Sequence, residues 1–291
     1  MIPVRLHRIA FALLILHQSA LSASATPPTR ALSQVPSITE ILFALDLDDR
    51  IVGVSTFCRF PPEALQKPKI GGLHDSDLER ILALQPDWAA LFHGQSKIGD
   101  VLTARGCRVD YIDAETIADV YATIRRVGEV FEVPERADKL IESMSREIRH
   151  FRDAMRGIPR KRVLYVVGRE PGALKNLYGA GRDNFLSEMI EIAGGTNCVE
   201  GSLGRYPVLS RESILTSNPE VILDAGATES EKSAQSMPPE WEILATVRAV
   251  KDRRVIPIDD PHLTIPGPSI PESIRKLVAL IHGPEALQRI P

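Results

Sequence analysis

Residues 134–157 read PERADKLIESMSREIRHFRDAMRG, and this stretch decides how the rest of the chain is organised. Pro134 suits the first turn of a helix, where its missing N–H costs nothing. No glycine or further proline follows until Gly157. Leu140, Ile141, Met144, Ile148, Phe151 and Met155 recur at the spacing that gathers apolar side chains onto one helical face. The pattern predicts one long amphipathic helix, about 35 Å at ~1.5 Å per residue, roughly the width of a small domain. Such a rod leaves one half of the chain before it and one half after it.

Both halves alternate strand-like and helix-like segments. In the first, 31–35 reads as a strand, and Ser37 with Glu40 reads as a capping box opening a helix over 38–45. A strand at 51–55 follows, then a helix over 78–84 capped by Asp77 and stopped before Pro86. A strand at 88–92, a helix over 96–105 and a strand at 107–112 complete that half. In the second, 163–167 is a β-branched strand, and Asp183 caps a helix closed by Gly194 and Gly195. Further segments are a helix at 210–216, strands at 221–224 and 255–258, and a helix at 271–281. This alternation implies mainly parallel sheets covered by helices. The expected fold class is α/β: two Rossmann-like lobes, 26–133 and 158–291, joined by one long rigid α-helix at 134–157.

The halves also echo one another. Glu79-Arg80-Ile81-Leu82-Ala83-Leu84-Gln85-Pro86-Asp87-Trp88 aligns with Glu212-Ser213-Ile214-Leu215-Thr216-Ser217-Asn218-Pro219-Glu220-Val221. Glutamate, isoleucine, leucine and proline match in register, an acid follows each proline, and an apolar strand follows each acid. The apolar matches need only be core. The two glutamates sit where a carboxylate favours a helix dipole, and one acid per lobe would also suit a partner built from two similar basic subunits.

The N-terminus carries a basic start (Arg5, Arg8), an apolar run over 9–16 and small residues ending at Ala25, the order of a cleavable export signal. His17 and Gln18 cut that run short of a membrane span. Residues 1–25 are therefore expected to be removed near Ala25, placing the mature protein in the periplasm. Loss of Arg5 and Arg8 takes the formal charge from −3 to −5, which argues against a nucleic-acid partner. Cys58, Cys107 and Cys198 are an odd set for an oxidising compartment, so at most one pair can close.

Motifs for chemistry are sparse. The glycine-rich stretch 168–181 lacks the lysine-serine/threonine ending of a phosphate loop, and no HExxH, nucleophile elbow or paired-cysteine zinc motif occurs. The expectation is a binding protein, not an enzyme, with no resident cofactor. A bare-metal binder would need His74, His93 and His262 to converge, and the spacing does not fix that.

Val35-Pro36-Ser37-Ile38-Thr39-Glu40-Ile41-Leu42-Phe43-Ala44-Leu45, Arg50-Ile51-Val52-Gly53-Val54 and Pro61-Pro62 resemble the opening of helical-backbone periplasmic binding proteins of ABC importers. Ile70-Gly71-Gly72 with Leu78-Glu79-Arg80-Ile81, the segment 185–197 and Pro266-Gly267-Pro268 continue the likeness. Members of that family carry cobalamin, siderophores or haem. The resemblance implies a ligand cleft between the lobes, a protein expected to be a monomer, and Glu79 and Glu212 as the acids that dock on an ABC permease dimer.

It also implies a set of cleft residues. Phe57 in Ser55-Thr56-Phe57-Cys58-Arg59-Phe60 takes the place of an aromatic that leans on a corrin ring, and Tyr206 takes the place of a second aromatic on the other lobe. Tyr178 and Arg182 are candidates for polar contacts. His74, His262 and Cys58 are candidate axial ligands to cobalt or iron. The expected cargo is a cobalamin-like corrinoid, with haem or a ferric siderophore as the alternative metal chelate. Leu73 and the segment Asp260-Pro261-His262-Leu263-Thr264-Ile265 depart from the cobalamin pattern, which leaves the chelate open.

Overall fold

The computed structural model describes residues 26–199, 204–234 and 236–290; the export signal read in 1–25 lies outside the described residues. The first lobe runs β1 (Ala31–Ser33), α1 (Pro36–Ala44), β2 (Ile51–Val54), α2 (Leu78–Ala83), β3 (Trp88–Phe92), α3 (Ser96–Thr103), β4 (Arg108–Ile112) and α4 (Ile117–Val130). Its sheet has the order β2-β1-β3-β4, with every pairing parallel. Helix α5 (Pro134–Ala154) follows.

The second lobe runs β5 (Lys161–Gly168), β6 (Leu177–Gly179), α6 (Phe185–Ile192), β7 (Gly195–Asn197), β8 (Val208–Leu209) and α7 (Arg211–Ser217). It continues with β9 (Val221–Asp224), α8 (Glu229–Ala234), α9 (Arg248–Lys251), β10 (Val255–Pro257) and α10 (Ile270–His282). The sheet order is β10-β9-β5-β6-β8, with β7 also on β5. Strands β10, β9, β5 and β7 are parallel, and β6 runs antiparallel to both β5 and β8. The parallel expectation thus holds for the centre of this sheet and fails at one edge.

Strand side chains alternate between faces, and the core divides accordingly. Ala31, Trp88 and Ala90 join Val163, Tyr165, Val221 and Leu223 in one central core. Their neighbours in the strands face outward into two separate clusters. Leu32, Ala89 and Leu91 pack in one, and Leu164, Val166 and Ile222 in the other. Each sheet is therefore buried on both faces, as near-continuous apolar strands demand. Helix α5 sends Ala137, Met144, Ile148 and Phe151 into the central core, so a single apolar mass runs from one sheet past the helix to the other. The helix stops at Ala154, slightly short of the expected end; Met155 caps it and Gly157 turns the chain at φ 81°.

The echo between the halves extends to backbone and hydrogen bonds. Gln85 and Asn218, each just before the shared proline, adopt left-handed φ of 46° and 41°. The Arg30 guanidinium donates to Leu84 O (2.6 Å) and Gln85 O (3.0 Å) at the end of α2, and the Arg162 guanidinium donates to Asn218 O (3.0 Å) at the end of α7. The acid after each proline returns the favour. Asp87 accepts from Arg30 N–H at 2.9 Å, and Glu220 from Arg162 N–H at 3.1 Å.

Three local readings need correction. Helix α1 begins at Pro36 with Val35 as a cap that makes no side-chain bond, so Ser37 lies inside the first turn and no capping box forms. Asp183 is not the cap of α6; Asn184 is, accepting from Ser187 N–H at 2.9 Å, while Asp183 takes a left-handed φ of 60°. Helix α4 was not anticipated, although Thr116 and Asp119 form a capping box at its start.

Candidate ligand cleft

In both lobes the carboxyl ends of the parallel strands point toward the seam between the sheets, the usual place for ligands in such folds. A cavity of about 660 Å³ opens there. The turn after β1 contributes Val35 and Pro36, the loop after β2 contributes Phe57 and Arg59, and the end of β3 contributes Phe92. The segment leaving β4 adds Asp113 and Glu115. From the second lobe come Phe185 at the start of α6, Tyr206 before β8, and Thr264, Ile265 and Pro266 after β10. The wall is largely apolar, with aromatic rings from both lobes and a few charged groups at the rim, as expected of a small-molecule site.

One polar contact crosses this cavity. The Glu115 carboxylate accepts from the Tyr206 hydroxyl at 3.4 Å and faces Arg205 at 3.8 Å. Burial, with the Asp113 carboxyl beside it, lifts Glu115 above the usual carboxylate range against the pull of Arg205. Burial and the nearby Glu115 push the Tyr206 phenol up to about 12, so it stays a neutral donor. The main chain is tied here as well: Phe185 N–H donates to Glu115 O at 2.6 Å, and Ile117 N–H to the Glu188 carboxylate at 2.8 Å.

Of the residues singled out in the sequence, Phe57 and Tyr206 line the cavity and the others do not. Cys58 is buried behind the cleft loop, held by the Thr39 hydroxyl at 3.1 Å and the Ser55 hydroxyl at 3.2 Å; burial raises its thiol pKa, which suits a core residue more than a metal ligand. His262 is held structurally through one ring nitrogen, while its Nε2 is buried without a hydrogen-bond partner. Its Nδ1 lies 2.7 Å from Asp260 Oδ1, and its ring packs edge-on against Phe60 of the opposite lobe at 4.0 Å. His74 and Arg182 are exposed on loops, and Tyr178 stands exposed on β6. His93 stacks on Tyr111. Among the described residues no group of three histidine, cysteine or acidic side chains is placed to hold a metal ion. Sequence reading passed over Asp113, Glu115 and Arg59; the signal available was their position just beyond strand ends.

Glu79 and Glu212 occupy matching places. Each is the second residue of its helix, after the side-chain caps Asp77 and Ser210, and each is exposed. Its own backbone N–H and the Ser210 side chain hold the Glu212 carboxyl below its ordinary range, so it is firmly anionic.

Two α/β lobes facing each other over an aromatic cavity, joined by one long helix, define a two-lobed ligand-capturing protein. The chain belongs to the periplasmic binding protein family, which it matches over residues 34–261. This is a family of ABC-importer solute-binding proteins, not of enzymes. The chain is 28% identical over 264 residues to an uncharacterised ABC transporter substrate-binding lipoprotein of Bacillus subtilis (strain 168), covering 88% of this chain and 80% of the relative. It is 28% identical over 228 residues to a vitamin B12-binding protein of Yersinia pseudotuberculosis, covering 78% and 80%. A periplasmic haem binding protein of Pseudomonas aeruginosa shares the fold at a TM-score of 0.76 and 24% identity, over 88% of this chain and 94% of the other.

Proposed function

We propose that this protein captures a cobalamin-like corrinoid in the periplasm and delivers it, as a monomer, to the permease dimer of an ABC importer. The observation that carries the reading is the cavity wall: Phe57 and Phe92 from one lobe face Phe185 and Tyr206 from the other. Paired rings suit a flat macrocycle held by stacking and area burial. A corrinoid brings its cobalt already coordinated, and the described lining carries no histidine or cysteine. Its rim is rich in neutral amides, which suits a site holding a single arginine. The curated vitamin B12-binding relative supports the same choice. The periplasmic location rests on the leader-like sequence of residues 1–25 and on the family. Glu79 and Glu212, exposed at equivalent helix starts, are the proposed contacts to basic sockets on the permease.

Haem is the second reading, favoured by the structural likeness to the Pseudomonas haem binder. Titration of the purified protein with cyanocobalamin, cobinamide, haemin and ferric siderophores, followed by absorbance and heat, separates the two. Saturable binding of corrinoids alone is the expected result. Saturable binding of haemin with a shifted Soret band, and none of corrinoids, would replace the first reading by the second.

A further inference from the structure

The contact across the cavity mouth is built to be exchanged. Glu115 is fixed by its main chain, since its carbonyl accepts from Phe185 N–H and its own N–H donates to Asp119 at 3.3 Å. Its side chain is 21% exposed and lies over the cavity, yet its partners from the second lobe are weak. The Tyr206 bond at 3.4 Å is long, and the ion pair at 3.8 Å involves an Arg205 side chain that is 55% exposed. Asp113, two residues earlier, also lines the cavity, and its carboxyl hydrogen-bonds with that of Glu115. Against these two acids the lining offers one cation, Arg59.

We propose that Glu115, with Asp113 beside it, is a specificity-determining residue of the cleft: it accepts hydrogen bonds from N–H or O–H donors on the ligand rim and rejects rims that carry carboxylates. The inference rests on the cleft being a ring-binding site and deepens that reading from the ring to its edge. An amide donor replaces the Tyr206 hydroxyl in kind and finds a carboxyl oxygen, whereas a carboxylate meets the net negative charge of the Asp113–Glu115 pair in a cavity partly shielded from water. Arg205, mostly solvated, swings out to water at little cost.

The test compares ligands that share a ring and differ only at the rim: cyanocobalamin against its peripheral monocarboxylic acid, and haemin dimethyl ester against haemin. The wild-type protein is expected to bind the uncharged member of whichever pair it takes about tenfold more tightly. Glu115→Gln, with an unchanged thermal midpoint as the folding control, should bring that ratio close to one. Asp113→Asn should lower it less, and Glu115→Asp should largely keep it. The ring that binds tests the proposed function, and the ratio within a pair tests the filter. A wild-type ratio of one, or a ratio that survives in the Asp113→Asn, Glu115→Gln double variant, overturns the filter and leaves the ring assignment standing. Failure to bind either ring in any form overturns both.

Discussion

Glu40 on α1 and Ser269 at the head of α10 lie 229 positions apart and meet directly, the serine hydroxyl donating to the carboxylate at 3.0 Å and its N–H at 3.3 Å. The contact joins the two lobes beside a second cavity of about 640 Å³. Gly267 is needed here, because a Cβ at that position would sit 2.4 Å from Glu40 Oε2.

Burial, opposed by the Ser269 donors and aided by Glu272, lifts Glu40 from 4.5 to about 7. Asp48, Glu63 and Glu147 line the same cavity, and the described lining includes no lysine or arginine. A raised folded pKa means the native protein holds a proton that the unfolded chain releases. The associated stability is complete below about pH 4.5 and is lost as pH climbs toward 7, a change of about 3 kcal/mol. Glu40→Gln should therefore melt several degrees above wild type at pH 8 and near it at pH 5. A melting difference independent of pH would contradict the assignment.

Arg169 is wholly buried against Asp224 at 2.9 Å, with Glu231 and Glu240 completing its shell and Trp241 donating to the same aspartate at 2.8 Å. Arg169→Met leaves these carboxylates without their cation. The expected loss is about 3–5 kcal/mol in urea unfolding, with faster hydrogen exchange in α8. A variant as stable as wild type would show that the cluster is replaceable by apolar packing.

Phe57 lines the cavity and is 57% exposed, so its ring is open to contact. Phe57→Ala and Tyr206→Ala should each weaken ligand binding by roughly ten- to a hundredfold in a titration. Tyr178→Ala, outside the cavity, should leave affinity unchanged. Equal effects of all three would mean the ligand sits elsewhere.

Reversing charge at both docking acids, Glu79→Arg with Glu212→Arg, should abolish transporter-dependent uptake while the dissociation constant for ligand stays within about twofold. Loss of ligand affinity in that double variant would take the two acids out of the docking role.

The fold was legible where one signal had one physical meaning. The stripe from Leu140 to Phe151 admits only a helix, and Pro86 and Pro219 mark equivalent stops. Glu40 misled because a glutamate three places after a serine is the local signature of a cap, whereas its carboxylate is used by a residue far along the chain. Thr116 and Asp119 hid α4 because the box uses aspartate in place of the usual glutamate. In the site, Phe57 and Tyr206, which line the cavity, were singled out through the resemblance of their loops to the family's. Glu115 was not, since its value comes from meeting Tyr206, 91 positions away, a pairing that only the assembled sheets create.

Because the central apolar mass passes without a break from the first sheet, along α5, into the second, α5 works as a keystone more than as a hinge. Cutting the chain beside it would leave each half with an open hydrophobic wound and no finished interior. The two halves should thus melt as one body, and entry of cargo should be felt as small shifts at the rim and not as a swing of the arms.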